Sequence, residues 1–344
     1  YLLPSFEISK SFNNNLILVS NGYNKNYETN IFEKVLINDL KYSSPPKISS
    51  NGLVNKLNIL LKNVNTESKN SQEYAKNFRS QNYGSILYDL SFPMKRAGKN
   101  FDSFLSGKAS LMYSPNKNKN IKDLDRKINY RNVYSQNRLG LNDSVEGGQS
   151  ITLGGEYEII NKENNSILTA GLASVLRDKN DNKLPTNSTI NNKTSDIIGS
   201  LNFTPNNNLN IDYNFSLDND LSSTNYNLIK ADFKINKFVT TFEFLQEDDE
   251  VGSENHYSNE ISFLLNNSSS LRYRTRRNKK TDLTEYYNLI YEYKNDCLTA
   301  AIQYNKDYYS DKDLKPNEEI FFSISIVPFS SINSPSKRKW KKTF

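Results

Sequence analysis

The feature that most constrains this chain is a strict alternation of apolar and polar residues. In Leu209–Leu217 every odd position is apolar and every even position is a small polar residue. Because successive side chains of a β-strand point to opposite faces, this segment would have one apolar and one polar face. The same pattern recurs at residues 151–159, 229–235 and 320–326. The alternation predicts an all-β chain, either a soluble β-rich assembly or a transmembrane barrel.

The bulk composition leaves both classes open. Hydrophobic residues make up 36% of the 344 residues, the mean hydropathy is −0.72, and no apolar run is long enough for a membrane helix. Transmembrane barrels also average out polar, because lipid-facing residues alternate with lumen-facing ones. The 22 tyrosines suit the aromatic belts at membrane surfaces, although an Asn- and Lys-rich composition explains part of that number.

The positive charge is small, and one basic run stands at the end. The net charge is +6, and residues 337–342 contain five Lys and Arg residues. A solvated or membrane-surface tail over residues 331–344 is favoured over a nucleic-acid site, so we expect no nucleic-acid partner. The single cysteine, Cys297, excludes an internal disulfide framework and a cysteine-based metal cluster.

About seventeen segments have the alternation and composition of strands, and most contain nine or more residues. A tilted strand needs roughly nine to eleven residues to cross a bilayer, whereas strands of globular sheets usually have about five or six. The predicted strands lie near residues 1–10, 14–24, 33–42, 53–64, 80–92, 102–114, 146–160, 166–176, 194–204, 208–218, 224–236, 238–247, 257–266, 270–277, 285–295, 297–307 and 318–328.

The lengths of the connections separate the two classes of fold. Short turns and longer loops tend to alternate, and the long ones include residues 65–79, 115–145, 177–193, 248–256 and 308–317. The connections at 43–52 and 93–101 are exceptions, because both fall on the short side and are not short. Outer-membrane barrels have short periplasmic turns on one rim and longer extracellular loops on the other. We therefore predict a transmembrane antiparallel β-barrel portion over residues 1–330.

The same rhythm predicts that the sequence is the C-terminal part of a barrel. Counting rims back from the last strand places residue 1 on the long-loop side, and single-chain bacterial barrels have an even number of strands. An odd number of strands is then missing upstream, so we expect a sheet that is not closed. Tyr1 is not a methionine and already lies in a strand-like segment, so we expect the export signal to lie upstream as well.

Residues for catalysis or metal binding are scarce. His256 is the only histidine and follows the polar loop 248–255, where a solvated side chain is favoured over a Ser-His-Asp arrangement. The acidic run Glu247–Glu250 suits a solvated loop better than a cation site, although divalent cations could visit it. No phosphate-binding glycine loop and no metal-ligand spacing occurs, so we expect neither a cofactor nor an enzyme.

One strand carries a ladder of positive charges. Arg272, Arg274 and Arg276 alternate with less polar residues and would all point to the lumen if the apolar side meets lipid. Such a ladder suits phosphates or acidic sugars. The favoured alternative is that these arginines pair with carboxylates of neighbouring strands, such as Glu243 or Glu292, since charged side chains are normal in a barrel lumen.

The segment Asn132–Gly148 carries the most specific motif. It reads NVYSQNRLGLNDSVEGG and resembles the central signature of the LptD family, the LPS-assembly or organic solvent tolerance proteins, which is roughly NLFSxNRFSGxDRxEGG. The residues that match in place are Asn137, Arg138, Asp143, Glu146, Gly147 and Gly148. The residues that depart from the pattern are Leu139, Gly140, Leu141 and Ser144.

Two further stretches agree with this family in the expected order. Leu3–Ser5 resembles its leucine-proline start of a strand. A second set resembles its C-terminal segment, particularly in alphaproteobacterial members, and comprises Asp296, Cys297, Leu298, Tyr308, Tyr309, Asp313, Pro316 and Ile320–Pro328. The resemblance implies an outer-membrane protein that passes lipopolysaccharide through a wet lumen and inserts it into the outer leaflet without covalent chemistry.

The resemblance also implies roles for individual residues and partners. Cys297 falls where many members carry two adjacent cysteines that bond to the periplasmic domain, while this chain has one; a small residue at a strand start remains the alternative. The last strand, Glu319–Pro328, would meet the first strand of the intact protein, and this seam would be the lateral gate; its residues include Ile320, Phe322, Ile324, Ile326 and Pro328. The implied partners are lipopolysaccharide, an LptE-like lipoprotein plug, and a periplasmic Lpt bridge reached through an upstream N-terminal domain.

Three other functions remain open at this point. A diffusion channel or receptor barrel would share the fold. An outer-membrane hydrolase would depend on His256. A soluble β-rich adhesin would bury the apolar faces against protein rather than against lipid.

Overall fold

The regular elements of the computed structural model are almost all strands. The structure describes residues 2–27, 30–163, 165–308, 317–326 and 330–333. Among these residues the helical elements are two single 3-10 turns, Thr186–Ser188 and Asp249–Val251. No helix in the described part of the chain is long and apolar enough to span a bilayer.

The strands are numbered in chain order. They are β1 (Leu2–Asn13), β2 (Leu16–Asn26), β3 (Phe32–Ser43), β4 (Lys47–Ile48), β5 (Val54–Lys69), β6 (Arg79–Ala97), β7 (Phe101–Ser114), β8 (Gly148–Asn161), β9 (Ser166–Arg177), β10 (Ile197–Asn206), β11 (Leu209–Leu217), β12 (Thr224–Ile235), β13 (Phe238–Glu247), β14 (Asn255–Leu264), β15 (Ser269–Asn278), β16 (Leu283–Lys294), β17 (Leu298–Asp307), β18 (Asn317–Ile326) and β19 (Ser330–Asn333).

The chain divides into two compact units, each built from antiparallel ladders. Unit 1 comprises residues 1–165, 169–200 and 216–223, and unit 2 comprises the remaining residues. In unit 1 the ladders follow chain order from β1 to β8, with the short β4 pairing on β5. In unit 2 each strand from β12 to β19 pairs with the next. The all-β, antiparallel fold class is confirmed, and no ladder among the described residues closes the sheet.

Most strands lie within a few residues of their predicted positions, with two larger differences. The predicted loop at 65–79 is shorter, because β5 continues to Lys69 and leaves residues 70–78. The predicted loop at 308–317 lies mostly outside the described residues. Seventeen of the described strands contain nine or more residues.

The predicted loop at 93–101 is wrong, because β6 continues to Ala97 and only residues 98–100 form the turn. Pro93 is tolerated within β6 because β5 pairs no further than Ser91, so the missing N–H of Pro93 leaves no bond unmade there. The alternation of short and long connections is therefore more regular than predicted.

Unit 2 has one polar and one apolar face. One row of directly opposed residues crosses seven strands and is polar throughout; this polar row comprises Asp232, Thr241, Glu260, Arg274, Asn288, Asn305 and Glu319. The adjacent row points to the other face and is mostly apolar, comprising Phe233, Thr240, Ile261, Tyr273, Leu289, Tyr304 and Ile320. The alternation seen in the sequence thus extends across the sheet.

Unit 1 differs, because loops cover much of its polar-side face. Val35, Ile37 and Val64 lie on that face, are almost fully buried, and pack with Tyr74 of the β5–β6 loop. Ala173 and Val175 of β9 are buried under the β7–β8 loop and the β9–β10 loop. The face that was predicted to be solvated is therefore buried in these places, because side chains of the loops pack against it.

Substitution on the two faces of β17 tests their environments. Ile302, at the centre of the strand, is 47% exposed on the apolar face, whereas its neighbour Gln303 lies on the polar face. We expect Ile302→Arg to cost about 2–4 kcal/mol of folding free energy in a bilayer, because a guanidinium group would enter hydrocarbon. Urea unfolding of the full-length protein in lipid vesicles measures this cost. Gln303→Arg is the matched control, and equal losses for both variants would contradict a lipid-facing apolar surface.

Candidate functional site

The β7–β8 loop, residues 115–147, is a packed element rather than an open loop. Structureless connections of this length are uncommon in compact domains. Its side chains Val133, Leu139 and Leu141 are at least nine-tenths buried and join a hydrophobic cluster with Leu184 and Ile190 of the β9–β10 loop. Leu139 and Leu141 are two of the positions that depart from the LptD pattern. Their apolar side chains stabilise the packing of the two loops against each other.

A buried ion cluster fixes the base of this loop. Arg138 donates to both carboxylate oxygens of Glu146, at 2.8 Å from Nε and 2.5 Å from Nη2. Arg177, at the end of β9, bonds to the same carboxylate through Nη1 and to the Gly147 carbonyl oxygen through Nη2, the latter at 2.7 Å. All three charged side chains are 2–3% exposed. The sequence motif identified Arg138 and Glu146; nothing in the sequence pointed to Arg177.

The ion cluster also ties the loop to β8. Arg138 donates to Ser150 Oγ at 2.9 Å and to Thr152 Oγ1 at 3.2 Å. Burial raises the pKa of the Glu146 carboxyl, but the charges and hydrogen bonds of Arg138 and Arg177 outweigh that effect, so the pKa lies below its usual range. Glu146 is therefore ionised at neutral pH, as the pairing requires.

The other motif residues shape the loop backbone. Asn137 closes a turn on Leu141, donating to its carbonyl oxygen at 2.9 Å and accepting from its N–H at 2.7 Å. Asp143 pairs with Lys119 at 2.6 Å. A Cβ at Gly147 would lie 2.1 Å from the Asn116 carbonyl oxygen, and Gly148 has φ +94°, so both positions require glycine.

Two tyrosines of the loop dock where neighbouring strands lack side chains. A Cβ at Gly171 would lie 2.2 Å from the Tyr130 ring, and one at Gly154 would lie 2.3 Å from the Tyr134 hydroxyl. The Tyr130 hydroxyl also lies 3.1 Å from Glu156, which pairs with Lys108 at 2.9 Å. Sequence reasoning missed this site, although two glycines inside strands are a signal of close approach.

The arginine ladder of β15 is paired with carboxylates. Arg272 Nε and Arg274 Nε lie 3.4 Å and 2.8 Å from the two oxygens of Glu260 on β14. Arg276 lies 2.7 Å from Glu285 of β16 and 3.1 Å from Glu254. The sequence had pointed to Glu243 and Glu292 as partners instead. The three arginine side chains remain 31–41% exposed, so a ligand can reach them.

The structure places the remaining predicted residues as follows. In β18, Ile320, Phe322, Ile324 and Ile326 share one exposed face, while Pro328 lies outside the described residues. Cys297 is an exposed free thiol in the short turn between β16 and β17.

In the polar loop before β14, Glu250, Ser253 and Glu254 are exposed, whereas Glu247 and His256 in the strands on either side of it are buried. His256 lies in β14 and is 5% exposed, because pairing with β13 and β15 extends the strand past it. Its Nδ1 is 3.6 Å from Glu254. Glu247, at the start of the acidic run, is buried and accepts from the Glu254 N–H at 3.3 Å. The expectation of solvated side chains at His256 and Glu247 is therefore wrong, because both residues lie in paired strands and are buried.

Removing the charge of Glu146 tests the ion cluster. Glu146→Gln would leave Arg138 and Arg177 buried without a counter-charge, so we expect a loss of roughly 3–5 kcal/mol in unfolding free energy. Urea unfolding of the full-length protein in vesicles measures it. Glu163→Gln, on an exposed turn, should change stability by less than about 0.5 kcal/mol. A Glu146→Gln protein as stable as that control would contradict the role of the cluster.

The same carboxyl predicts a dependence on pH. Because its pKa is lower in the folded protein than in the unfolded chain, its stabilisation is present above about pH 4.3 and is lost as the pH falls through the folded value. Cleavage within residues 115–147 by pepsin, followed from pH 5 to pH 2, should therefore rise more steeply in the wild type than in Glu146→Gln. Identical profiles would show that another group controls acid opening of the loop.

One comparison with known proteins agrees with the motif. The LptD family model, described as LPS transport system D, matches residues 60–248, more than half of the chain. A mutant of the Rh. blastica porin is a similar solved structure, with 8% identity and a TM-score of 0.35 over 85% of this chain and 95% of that one. No curated protein matches. The matched residues include the whole ion cluster. Because the model covers more than half of the chain, the chain belongs to the LptD family of lipopolysaccharide transport proteins.

Proposed function

We propose that this protein inserts lipopolysaccharide into the outer leaflet of the outer membrane through a barrel lumen and a lateral gate. The observation that carries the proposal is the division of unit 2 into a polar row and an apolar row, within a chain of the LptD family. Sugar and phosphate groups need polar surroundings, whereas acyl chains need an exit toward hydrocarbon. A sheet with these two faces suits both parts of the substrate.

The arginine ladder is proposed to contact the anionic groups of the substrate. Arg272 and Arg274 share the single carboxylate of Glu260, so the pair keeps a net positive charge. Partly exposed ion pairs contribute only about 0–1 kcal/mol, so a phosphate can replace the carboxylate at low cost. Guanidinium groups bind phosphate through two parallel hydrogen bonds. The ladder would then bind lipopolysaccharide transiently rather than tightly.

The last long strand is proposed to form one side of the lateral gate. Among the described residues, the ladder between β18 and β19 contains four residue pairs, against ten between β17 and β18, so most of this edge of β18 is open to the first strand of the intact barrel. A seam with few backbone hydrogen bonds costs little to open, and the apolar face of β18 offers contact to acyl chains. Pro328 is proposed to weaken the end of the strand by removing a donor.

Partners of the intact protein follow from the same assignment. The exposed thiol of Cys297 lies on a short turn, the kind that faces the periplasm in outer-membrane barrels. We propose that it bonds to an N-terminal periplasmic domain, which would connect the barrel to the Lpt bridge. An LptE-like lipoprotein is proposed to fill part of the lumen. The transport requires no catalytic residue of this chain.

Two arginines of the same strand, β15, test the role of the arginine ladder. Arg274 lies on the polar face, whereas Arg277 lies on the opposite face and pairs with Asp282 at 2.6 Å. We expect Arg274→Gln to lower lipopolysaccharide delivery to the cell surface about threefold to tenfold, as befits the loss of one charge-assisted hydrogen bond. Surface lipopolysaccharide is measured by labelling intact cells after depletion of the wild-type protein.

The control and the alternatives are read in the same cells. Arg277→Gln should support delivery at the wild-type level. Loss of uptake of one solute with normal surface lipopolysaccharide would favour a diffusion channel or receptor barrel. A defect of His256→Ala in hydrolysis, with delivery intact, would favour a hydrolase.

A further inference from the structure

A concave apolar groove lies on the exposed face of unit 1. It encloses about 370 Å³ and is lined mainly by carbon atoms, with Phe6, Leu36 and Phe78 as its large side chains. These three side chains are 45%, 37% and 66% exposed. Phe6 and Leu36 lie on either side of Gly22 in the same row of the sheet. The Phe6 ring lies over Gly22, where a Cβ would come within 2.9 Å of Phe6 Cε1, so the glycine lets the ring pack onto the sheet beside Leu36.

The edge of the groove nearest the long loops, its rim, is polar and includes a positively charged side chain. Lys34 and Glu67 line it on the side where β3 begins and β5 ends, whereas Asn65 lies directly opposite Leu36, in the row of Phe6 and Leu36. Lys34 Nζ lies 3.9 Å from Glu67 and 5.2 Å from the centre of the Phe32 ring, and its side chain is 55% exposed. Lys69 is opposite Phe32 and is also exposed, so this rim has an excess of positive charge.

The position of this rim identifies the leaflet. The long β5–β6 loop and the β7–β8 loop leave the sheet on the rim side, whereas the two-residue turn between β1 and β2 lies at the opposite end. Long loops face outward in outer-membrane barrels. In that orientation the groove would lie at the depth of outer-leaflet acyl chains, with Lys34 at the level of their headgroups.

We propose that this groove binds an acyl chain of a lipid A molecule in the outer leaflet, with Lys34 pairing a phosphate of its headgroup. On this face Phe6 and Leu36 lie one row below the ammonium group of Lys34, which is the order of acyl chain and phosphate in a phosphorylated lipid. The next row is polar and comprises Ser20, Asn38 and Asn63, so the groove contacts only the part of an acyl chain nearest the headgroup. The site faces the membrane rather than the lumen, so it is separate from the transport path proposed above. A bound lipid here would act as a structural partner of unit 1.

Filling the groove tests the proposal. Leu36→Trp would occupy the hollow, and Leu61→Trp is the matched control, because Leu61 is another exposed leucine, directly opposite Leu40 on the same face. The full-length protein is purified in detergent, and native mass spectrometry measures binding of added lipid A. We expect Leu36→Trp to weaken binding at least about fivefold, and Leu61→Trp to stay within about twofold of the wild type.

A second variant, which removes the positive charge of Lys34, tests the same site if Leu36→Trp does not fold. Lys34→Gln should weaken lipid A binding about fivefold through loss of the phosphate contact. Lys306→Gln is its control, because Lys306 also lies on an exposed face, 3.8 Å from a carboxylate and 5.4 Å from a tyrosine ring, but outside the groove. Unchanged binding in Lys34→Gln, or equal binding of phosphatidylglycerol and lipid A by the wild type, would overturn the proposal. Binding in detergent involves no transport, so this result is independent of the delivery assay.

Discussion

The constraint on which this structure depends is that backbone N–H and C=O groups in hydrocarbon must find their partners within the protein. Long antiparallel strands with short turns meet that requirement, because each residue of a central strand is bonded to its neighbours. The requirement also sets the side-chain alternation, since a strand that faces lipid on one side has only the other side for polar groups. Unit 2 shows the result across seven strands, with Phe233 beside Asp232 on opposite faces of one strand.

Arginine side chains of this protein form close ion pairs with carboxylates in two different environments. Around β15 the arginines meet carboxylates of the two adjacent strands and remain accessible to solvent. In the β7–β8 loop, by contrast, one carboxylate holds two guanidinium groups that are removed from water. The first arrangement can exchange partners readily, while the second cannot without a large penalty. The motif that characterises the family is therefore a fixed structural device, and the exchangeable charges lie elsewhere.

Much of the fold could be predicted from the sequence, because alternation with a period of two is a direct consequence of strand geometry. It located the strands and identified the exposed face of β18. The motif added Arg138 and Glu146. Arg177 could not be found, since its role depends on how two distant loops pack. The burial of Val35 and Val175 could not be predicted either. Alternation shows on which face of the sheet a side chain lies, but not whether a loop covers that face. His256 was misplaced because pairing on both sides lengthened a strand beyond its local polar sequence.

The apolar side chains on both faces of β9 have a consequence for how the protein folds. Leu172 and Leu176 are exposed on one face, while Ala173 and Val175 on the other are buried by loop residues. Without those loops, Ala173 and Val175 would meet water while Leu172 and Leu176 are exposed on the other face. The apolar residues on this face of β9 are therefore shielded from water only when the loops have docked, and the tyrosines that fit against Gly154 and Gly171 fix where the β7–β8 loop docks.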